Sequence, residues 1–216
     1  SGGTSMPAAP SRRGLIRTQF EYWHAQGVAL GQPVQVVDGI PWYYRQFGYE
    51  YAIEHFGGRT GYYSALPGLK EGESEPYRLR PMCDGDLPFV MPLFERDSRR
   101  SLVSTPRPAE VWSYLMSGYS CDSFEFRHYH VIEAADGALA GYVTWATDHD
   151  THRVRVTEFV ATDGQSLRAL ALPVLRALQR EASEAEGPGW RADRHYLCMG
   201  RTHPLYDAIP EVLTPG

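Results

Sequence analysis

Cysteine is scarce in this sequence, and long apolar runs are missing altogether. The 216 residues include three cysteines, Cys83, Cys121 and Cys198, which are widely separated and form no Cys-x-x-Cys motif. This spacing excludes a disulfide framework and a zinc knuckle, and it indicates idle or buried thiols in a reducing compartment. No apolar run approaches the roughly 20 residues that cross a bilayer, and the N-terminal region lacks the apolar core of a signal peptide. We therefore expect a cytoplasmic protein with no membrane partner.

An excess of basic residues is also absent. Lys and Arg number 21 against 26 Asp and Glu, which gives a formal net charge of −5. Proteins that bind nucleic acid without regard to its sequence rely on a basic surface, so we expect no nucleic-acid partner. Neither a Gly-x-Ser-x-Gly nucleophile motif nor a phosphate-binding P-loop pattern occurs. The hydrophobic share of 43% and the charged share of 22% are ordinary for a globular protein with a substantial core.

Glycine and proline are concentrated in one internal stretch, residues 57–76, which also contains the charged step Lys70-Glu71-Gly72-Glu73. Such a composition is typical of a linker, so we predict a boundary near residue 72, with domains over 1–72 and 73–216. Residues 1–5, Ser-Gly-Gly-Thr-Ser, have the composition of an expression remnant and are left out of the fold prediction.

The spacing of apolar residues predicts the secondary structure of both domains. In the first, it indicates a helix over 11–26, a strand over 34–37, a brief helix over 41–48 and a strand over 49–56. In the second, it indicates a strand over 77–80, a helix after Asp84, a helix over 109–116, strands over 127–134, 139–147 and 153–160, a helix over 165–184, a strand over 194–199 and a short helix over 203–208. The pair Asp136-Gly137 is a strong hairpin signal between two of these strands. This order predicts an α/β fold whose mixed sheet is antiparallel at the front and gains a parallel back strand through a helical crossover.

Two segments of the first domain resemble a known family. Arg12-Arg13-Gly14-Leu15-Ile16-Arg17 opens the first predicted helix, and Tyr44-Arg45-Gln46-Phe47-Gly48-Tyr49 follows the first predicted strand. Together they resemble the latter half of a GCN5-related N-acetyltransferase (GNAT) domain, and they are most similar to the multi-domain enhanced-intracellular-survival group. Residues 76–216 follow the element order of the same family. The resemblance implies a GNAT-like mixed sheet flanked by helices, with one partial copy and one nearly complete, degenerate copy.

The resemblance implies an N-acetyltransferase that takes acetyl-CoA as co-substrate and acetylates a small amine or an amino terminus by direct transfer. Arg12, Arg13 and Gly14 stand where the family binds the pyrophosphate of coenzyme A at a helix N-terminus. Tyr44 resembles the family tyrosine that protonates the departing thiolate. Two features depart from the family pattern: Ala9 stands where Gln or Arg is usual, and no strand is predicted before Arg12.

The second copy has one glycine in the corresponding loop, Thr162-Asp163-Gly164-Gln165, and lacks the Gln/Arg-x-x-Gly-x-Gly pattern. We therefore expect this copy to be structural, with Asp163 or Thr162 capping the helix that follows.

Other interpretations stay open beside the acetyltransferase. Tyr44 has aromatic neighbours and is equally compatible with a packing role. The absent front strands favour a non-catalytic fragment or pseudoenzyme that serves assembly or partner binding, and a homo-oligomer is left open.

The turn Asp148-His149-Asp150-Thr151-His152 and the pair His128-x-His130 contain metal-binding residue types. A metal-dependent hydrolase using His149 and His152 is therefore a third hypothesis, although we expect no metal site.

Overall fold

The structure of the chain is a computed structural model that describes residues 14–40, 42–52 and 57–214. The chain divides into two compact units, Ser1–Glu54 and His55–Gly216, called unit 1 and unit 2 below. None of the helices within the described ranges is both long enough and apolar enough to cross a bilayer.

Unit 1 contains helix α1, Leu15–Ala29, and a 3₁₀ helix, Tyr43–Phe47. Both helices were predicted, and α1 is confirmed from Leu15 onward. The predicted strand over 34–37 is wrong, because residues 33–40 form no strand. Val34 and Val36 are 67% and 68% exposed. The described part of unit 1 contains no strand, and β-branched residues do not form one without a partner to supply ladder hydrogen bonds. Residues 49–52 also form no strand, and 53–56 lie outside the described residues.

Unit 2 is a six-stranded mixed sheet with helices on both faces. Its strands are β1 Arg59–Tyr62, β2 Tyr77–Pro81, β3 His128–Ala134, β4 Leu139–Asp148, β5 Arg153–Ala161 and β6 Arg194–Leu197. Its α-helices are α2 Leu87–Ser98, α3 Ala109–Ser117, α4 Leu167–Glu186 and α5 Leu205–Ala208. The strand order is β1-β6-β5-β4-β3-β2, and β5 and β6 form the parallel pair while the other neighbours are antiparallel. The predicted mixed sheet, the hairpin and the helical crossover through α4 are confirmed.

The division between the units falls earlier than the boundary that composition placed near residue 72. Strand β1 lies inside the predicted linker and pairs with β6, where Arg59 is opposite Leu197 and Tyr62 is opposite Arg194. The stretch that contains β1 therefore belongs to unit 2. The assignment of the two parts as two copies of one fold stays a prediction.

Two apolar clusters cover the two faces of the sheet. The larger lies under α4, and its biggest fully buried side chains are Trp145 and Phe159. The smaller lies under α2 and α3 around Trp112, Tyr142 and Val90, all fully buried. Residues that alternate along β3, β4 and β5 supply both clusters, which fixes the register of the sheet.

Arg80 at the end of β2 holds two buried carboxylates in place. Its guanidinium donates to Glu133 Oε1 at 2.6 Å and to both carboxylate oxygens of Asp86 at 2.7 and 3.0 Å. The side chains of Asp86 and Glu133 are each 9% exposed. The hydrogen bonds from Arg80 lower the pKa of Asp86 to about 2. This network joins β2 and β3 to the start of α2.

Replacing Arg80 with Met is expected to lower the free energy of unfolding by about 3 kcal/mol or more, because buried Asp86 loses its counter-ion and buried Glu133 keeps only the exposed Arg78. Arg78→Met is the matched control, since Arg78 also pairs with Glu133 but is 73% exposed, and an exposed pair contributes about 1 kcal/mol or less. Urea denaturation followed by circular dichroism measures both. Equal losses in the two variants would contradict the role assigned to Arg80.

Candidate functional site

Helix α1 begins at Gly14, the one predicted coenzyme-binding residue inside the described range. Gly14 has a left-handed backbone, with φ 71°, and no described side chain caps the helix. The space beside it is open, because a Cβ added at Gly14 would meet no atom within 4 Å. The first amides of a helix have no intrahelical acceptor and lie at the positive end of the helix dipole, so this helix start suits an anion.

Tyr44 is half-buried in the 3₁₀ helix and packs against α1. Its ring meets Phe20 of α1 edge-on, with centroids 5.8 Å apart, and it lies 6.4 Å from the ring of Tyr49. Phe20 also stacks on Phe47 at 4.5 Å, which ties the whole 3₁₀ helix to α1. Phe20 is less than two turns beyond Gly14, about 9 Å along the helix axis. The phenol is thus held by ring contacts to the same helix whose start lies at Gly14.

The Tyr44 hydroxyl lies over the backbone of Gly39. A Cβ added at Gly39 would come within 2.7 Å of that oxygen, so a larger residue there would displace the ring. No hydrogen-bond partner for the hydroxyl is found among residues 14–40, 42–52 and 57–214. The phenol is therefore held by ring packing, and its proton is not committed to another described group.

Two features of this arrangement are of the kinds that coenzyme A requires. No described side chain caps the start of α1, which suits a phosphate group, and the hydroxyl of Tyr44 is a proton donor without a described partner. Arg12 and Arg13 lie outside the described residues, so their part in the site stays a prediction. In the family the pantetheine arm pairs with strand backbone as an added strand would, and the described part of unit 1 offers no strand for it.

The corresponding helix start in unit 2 is already occupied by protein groups. Ser166 Oγ accepts the backbone N–H of Ala169 at 3.3 Å, so Ser166 is the cap. The prediction that Asp163 or Thr162 caps α4 is wrong. Asp163 accepts a hydrogen bond from Arg96 of α2, and Arg96 also donates to the carbonyl of Ala161. A capped amide and a carboxylate in the loop make this start unsuitable for a phosphate.

The gap between β5 and β6 is filled as well. The two strands pair only over 153–156 and 194–197, and the side chain of Tyr206 from α5 sits where they separate. Its hydroxyl lies 2.9 Å from the carbonyl oxygen of Leu197 and 2.8 Å from that of Gly200, which share its single proton, and it accepts the N–H of Met199 at 3.3 Å. Tyr206 is 5% exposed. Tyr206 therefore forms hydrogen bonds with the backbone groups that a ligand inserted between β5 and β6 would need.

The two histidines of the metal hypothesis are engaged separately. His149 Nδ1 lies 2.6 Å from Glu186 Oε2, and His152 Nδ1 lies 3.1 Å from the carbonyl of Arg191. Both rings stack on Trp190. Across the ranges that the structure describes, no group of three or more His, Cys, Asp or Glu side chains could hold a metal ion. Nothing in the described geometry supports the hydrolase hypothesis.

Cys198 does not have the surroundings of a nucleophile. It follows β6 directly, and its N–H donates to the carbonyl of Val156 at 2.7 Å. Burial raises the pKa of its thiol to about 11, whereas a nucleophilic cysteine needs a lowered one.

Sequence reasoning missed Arg96 and Tyr206, which occupy the loop before α4 and the gap between β5 and β6 in unit 2. The partners of Arg96, which are Asp163 and Ala161, are distant in the sequence. Those of Tyr206 are backbone groups only six to nine residues before it, which no side-chain pattern indicates. The sequence contains one indirect signal. The loop before α4 has a single glycine, which indicates only that the second copy does not bind coenzyme A.

No protein-family model matches the chain, and no curated protein matches it. Solved structures do match. A GCN5-related N-acetyltransferase from Kribbella flavida is 15% identical with a TM-score of 0.57, and the match covers 100% of this chain and 49% of that one. An Enterococcus faecalis V583 protein designated a probable N-acyltransferase is 13% identical with a TM-score of 0.60, covering 97% of this chain and 49% of that one.

The chain has the GNAT fold. At these identities the likeness concerns architecture, and it agrees with the mixed sheet and helical crossover of unit 2. The chain spans about half the length of the two solved structures that it matches. Which residues of a GNAT fold act chemically therefore has to be argued from the side chains themselves.

Proposed function

We propose that the protein is an acetyl-CoA-dependent N-acetyltransferase that transfers the acetyl group directly to a small amine or an amino terminus. The observation that supports this most is the pairing, within unit 1, of an uncapped helix start at Gly14 with the phenol of Tyr44. The GNAT fold raises the expectation of acyl transfer, and these two features supply groups for the two ends of the thioester co-substrate.

The start of α1 would bind the pyrophosphate. Its free amides and the positive end of the helix dipole attract the anion, and Arg12 and Arg13 would add two positive charges beside it. Gly14 has no side chain to obstruct the approach of phosphate oxygens to the backbone. Binding here would fix the thioester relative to α1 and to everything packed on α1.

Tyr44 would act at the sulfur. The acceptor amine, with its lone pair free, attacks the thioester carbonyl, and the carbon–sulfur bond then breaks with the electron pair leaving on sulfur. Tyr44 donates its hydroxyl proton to that sulfur as the negative charge grows, so free thiol departs. The amide product loses the surplus amine proton to solvent, the Tyr44 phenolate takes up a proton from solvent, and no covalent bond to the protein is needed.

A second candidate function is a non-catalytic one, in which unit 1 serves assembly or partner binding. The supporting observation is the exposure of large apolar side chains in unit 1, where Gly27 is the one buried residue within the described ranges. The exposed set is Leu15, Ile16, Tyr22, Trp23, Val28, Leu30, Val34, Val36, Ile40, Trp42, Tyr43 and Tyr51. Apolar exposure on this scale is typical of a surface that is covered in the working assembly.

Isothermal titration of acetyl-CoA into the protein tests the proposal. We expect saturable binding that weakens at least tenfold in Arg12→Ala/Arg13→Ala, because two charge-assisted contacts to phosphate are lost. Arg99→Ala/Arg100→Ala is the matched control, since it removes two adjacent arginines from the exposed end of α2, and we expect it to bind as the unaltered protein does. Absence of binding by the unaltered protein would remove the basis of the enzyme proposal. Self-association in light scattering together with that absence would favour the second candidate.

A further inference from the structure

A separate pocket opens at the edge of the unit 2 sheet, where β2 stops before β3 does. Pro81, the last residue of β2, is paired with His130, and within the described ranges no strand lies beside His128 on the β2 side, whereas β4 pairs with it on the other side. The pocket has a volume of about 320 Å³ and reaches from the end of α3 around the sheet edge to the last turns of α4. This volume is within the range of sites for small organic molecules.

The polar group deepest in this pocket is His130. It is 5% exposed, and its Nδ1 accepts the indole N–H of Trp145 at 3.1 Å. That bond assigns the ring proton to Nε2, which has no partner among the residues that the structure describes. Burial, aided by His128, lowers the pKa of His130 to about 4. The ring is therefore neutral at pH 7 and presents a single N–H donor.

An aromatic surface forms one wall. The ring of His128 stacks on Trp145 with centroids 4.1 Å apart and planes 19° from parallel. Burial lowers the pKa of His128 as well, so this wall has no positive charge at neutral pH. Met82 and Met116 also line the pocket, on the face of the sheet that α2 and α3 cover. The two thioethers suit an apolar body, and the face of the neutral aromatic wall attracts a cation.

Glu181 of α4 gives the pocket a negatively charged group. It lines the pocket, and across the described ranges it makes no ion pair or hydrogen bond. Burial raises the pKa of its carboxyl, with Glu184 adding to the effect and Arg180 opposing it. Glu181 also lies in the last turns of a 20-residue helix, whose C-terminal end is negative. Arg127 is the one arginine that lines the pocket. Its guanidinium donates hydrogen bonds to the carbonyl oxygens of Phe124 and Phe126, and not to Glu181.

We propose that this pocket binds an organic ammonium ion with an apolar body, whose cation pairs with Glu181 and lies against the His128–Trp145 face. The partly desolvated, unpaired carboxylate gains a counter-ion, and the apolar body covers the methionine side. The His130 Nε2–H is left to a hydroxyl or carbonyl of the ligand. The site lies wholly within unit 2 and uses none of the residues proposed for acetyl transfer, so each proposal can fail without the other.

Titration with phenethylamine tests this proposal, with 2-phenylethanol as the neutral control of equal size. Calorimetry is expected to give a dissociation constant of about 1 mM or tighter for the amine and at least tenfold weaker binding for the alcohol. In ¹H–¹⁵N spectra, the Trp145 indole signal, assigned from Trp145→Phe, should shift with the amine, because that N–H is bonded to His130.

Glu181→Gln is expected to weaken amine binding at least tenfold and leave alcohol binding unchanged. The matched control is Glu184→Gln, which removes the same charge from an exposed position that does not line the pocket; less than a twofold change is expected. The proposal is overturned if the amine does not bind, if the alcohol binds as well as the amine, or if the two glutamate variants weaken binding equally.

Discussion

Tyr44→Phe is expected to lower kcat for acetyl transfer by about 100-fold or more and to leave acetyl-CoA affinity within about threefold. A positioned general acid contributes on the order of 10² to 10⁴ in rate, and the variant removes only the hydroxyl group. The ring and its contacts with Phe20 and Tyr49 are retained, so coenzyme binding at the helix start should persist. Steady-state kinetics together with calorimetric titration separates the two quantities.

Tyr43→Phe is the matched control for that experiment. Tyr43 precedes Tyr44 in the same 3₁₀ helix and is 37% exposed, and its ring meets Tyr44 edge-on at 5.2 Å. We expect its kcat to stay within about threefold of the unaltered value. Parallel loss of kcat and affinity in Tyr44→Phe would assign Tyr44 a packing role and would count against the proposed chemistry.

Acidification is expected to destabilise unit 2 by several kcal/mol between pH 7 and pH 4, because two buried histidines must remain neutral in the folded state. His195 is fully buried, and neither ring nitrogen has a partner among the described residues. Burial lowers its pKa to about 4, as it does for His130. An unfolded histidine has a pKa of about 6.5. The contribution of each neutral ring to the free energy of unfolding is therefore fully present above pH 6.5 and is lost as the pH falls toward 4. At pH 4 the loss is about 3 kcal/mol for each ring.

Urea denaturation at pH 7, 5 and 4 measures this loss, and His195→Leu identifies its source. The leucine variant should lose about 3 kcal/mol less than the unaltered protein between pH 7 and pH 4, because it has no ring to protonate. His149→Leu is the control: the His149 side chain is 66% exposed, and its removal should leave most of the acid sensitivity in place. An unaltered pH dependence in His195→Leu would show that His195 is not a source of the acid sensitivity.

The parts of the fold that could be predicted are those that local sequence determines. The alternation of apolar and polar residues predicts strands β3 and β4. The turn between them is stabilised by interactions within the turn itself. Gly137 takes φ 85°, and Asp136 Oδ1 accepts the N–H of Ala138 at 3.0 Å. Helix α4 was predictable for the same reason, since its apolar spacing appears within its own 20 residues.

The parts that could not be predicted depend on partners distant in sequence. Val34 and Val36 have the residue type of a strand, but a strand exists only when another lies beside it. The pocket residues show the same limit. His128 and His130 were visible as a pair on one strand face, whereas Trp145 and Glu181 reach them only through the fold. Metal ligation was the natural hypothesis for the pair alone, and the indole contact replaces it.

The close fit of β1 against β6 determines where unit 2 can be cut from the rest of the chain. A Cβ added at Gly61 would lie 2.2 Å from the carbonyl oxygen of Val212 and 2.4 Å from His195 Nε2, so this glycine allows the C-terminal segment and the His195 ring of β6 to pack against β1. A fragment that starts at residue 73, as composition suggests, would discard that strand and leave β6 with open hydrogen-bonding groups along its length. Such an open edge recruits strands from other molecules and leads to aggregation, so a soluble excised domain has to begin by residue 57.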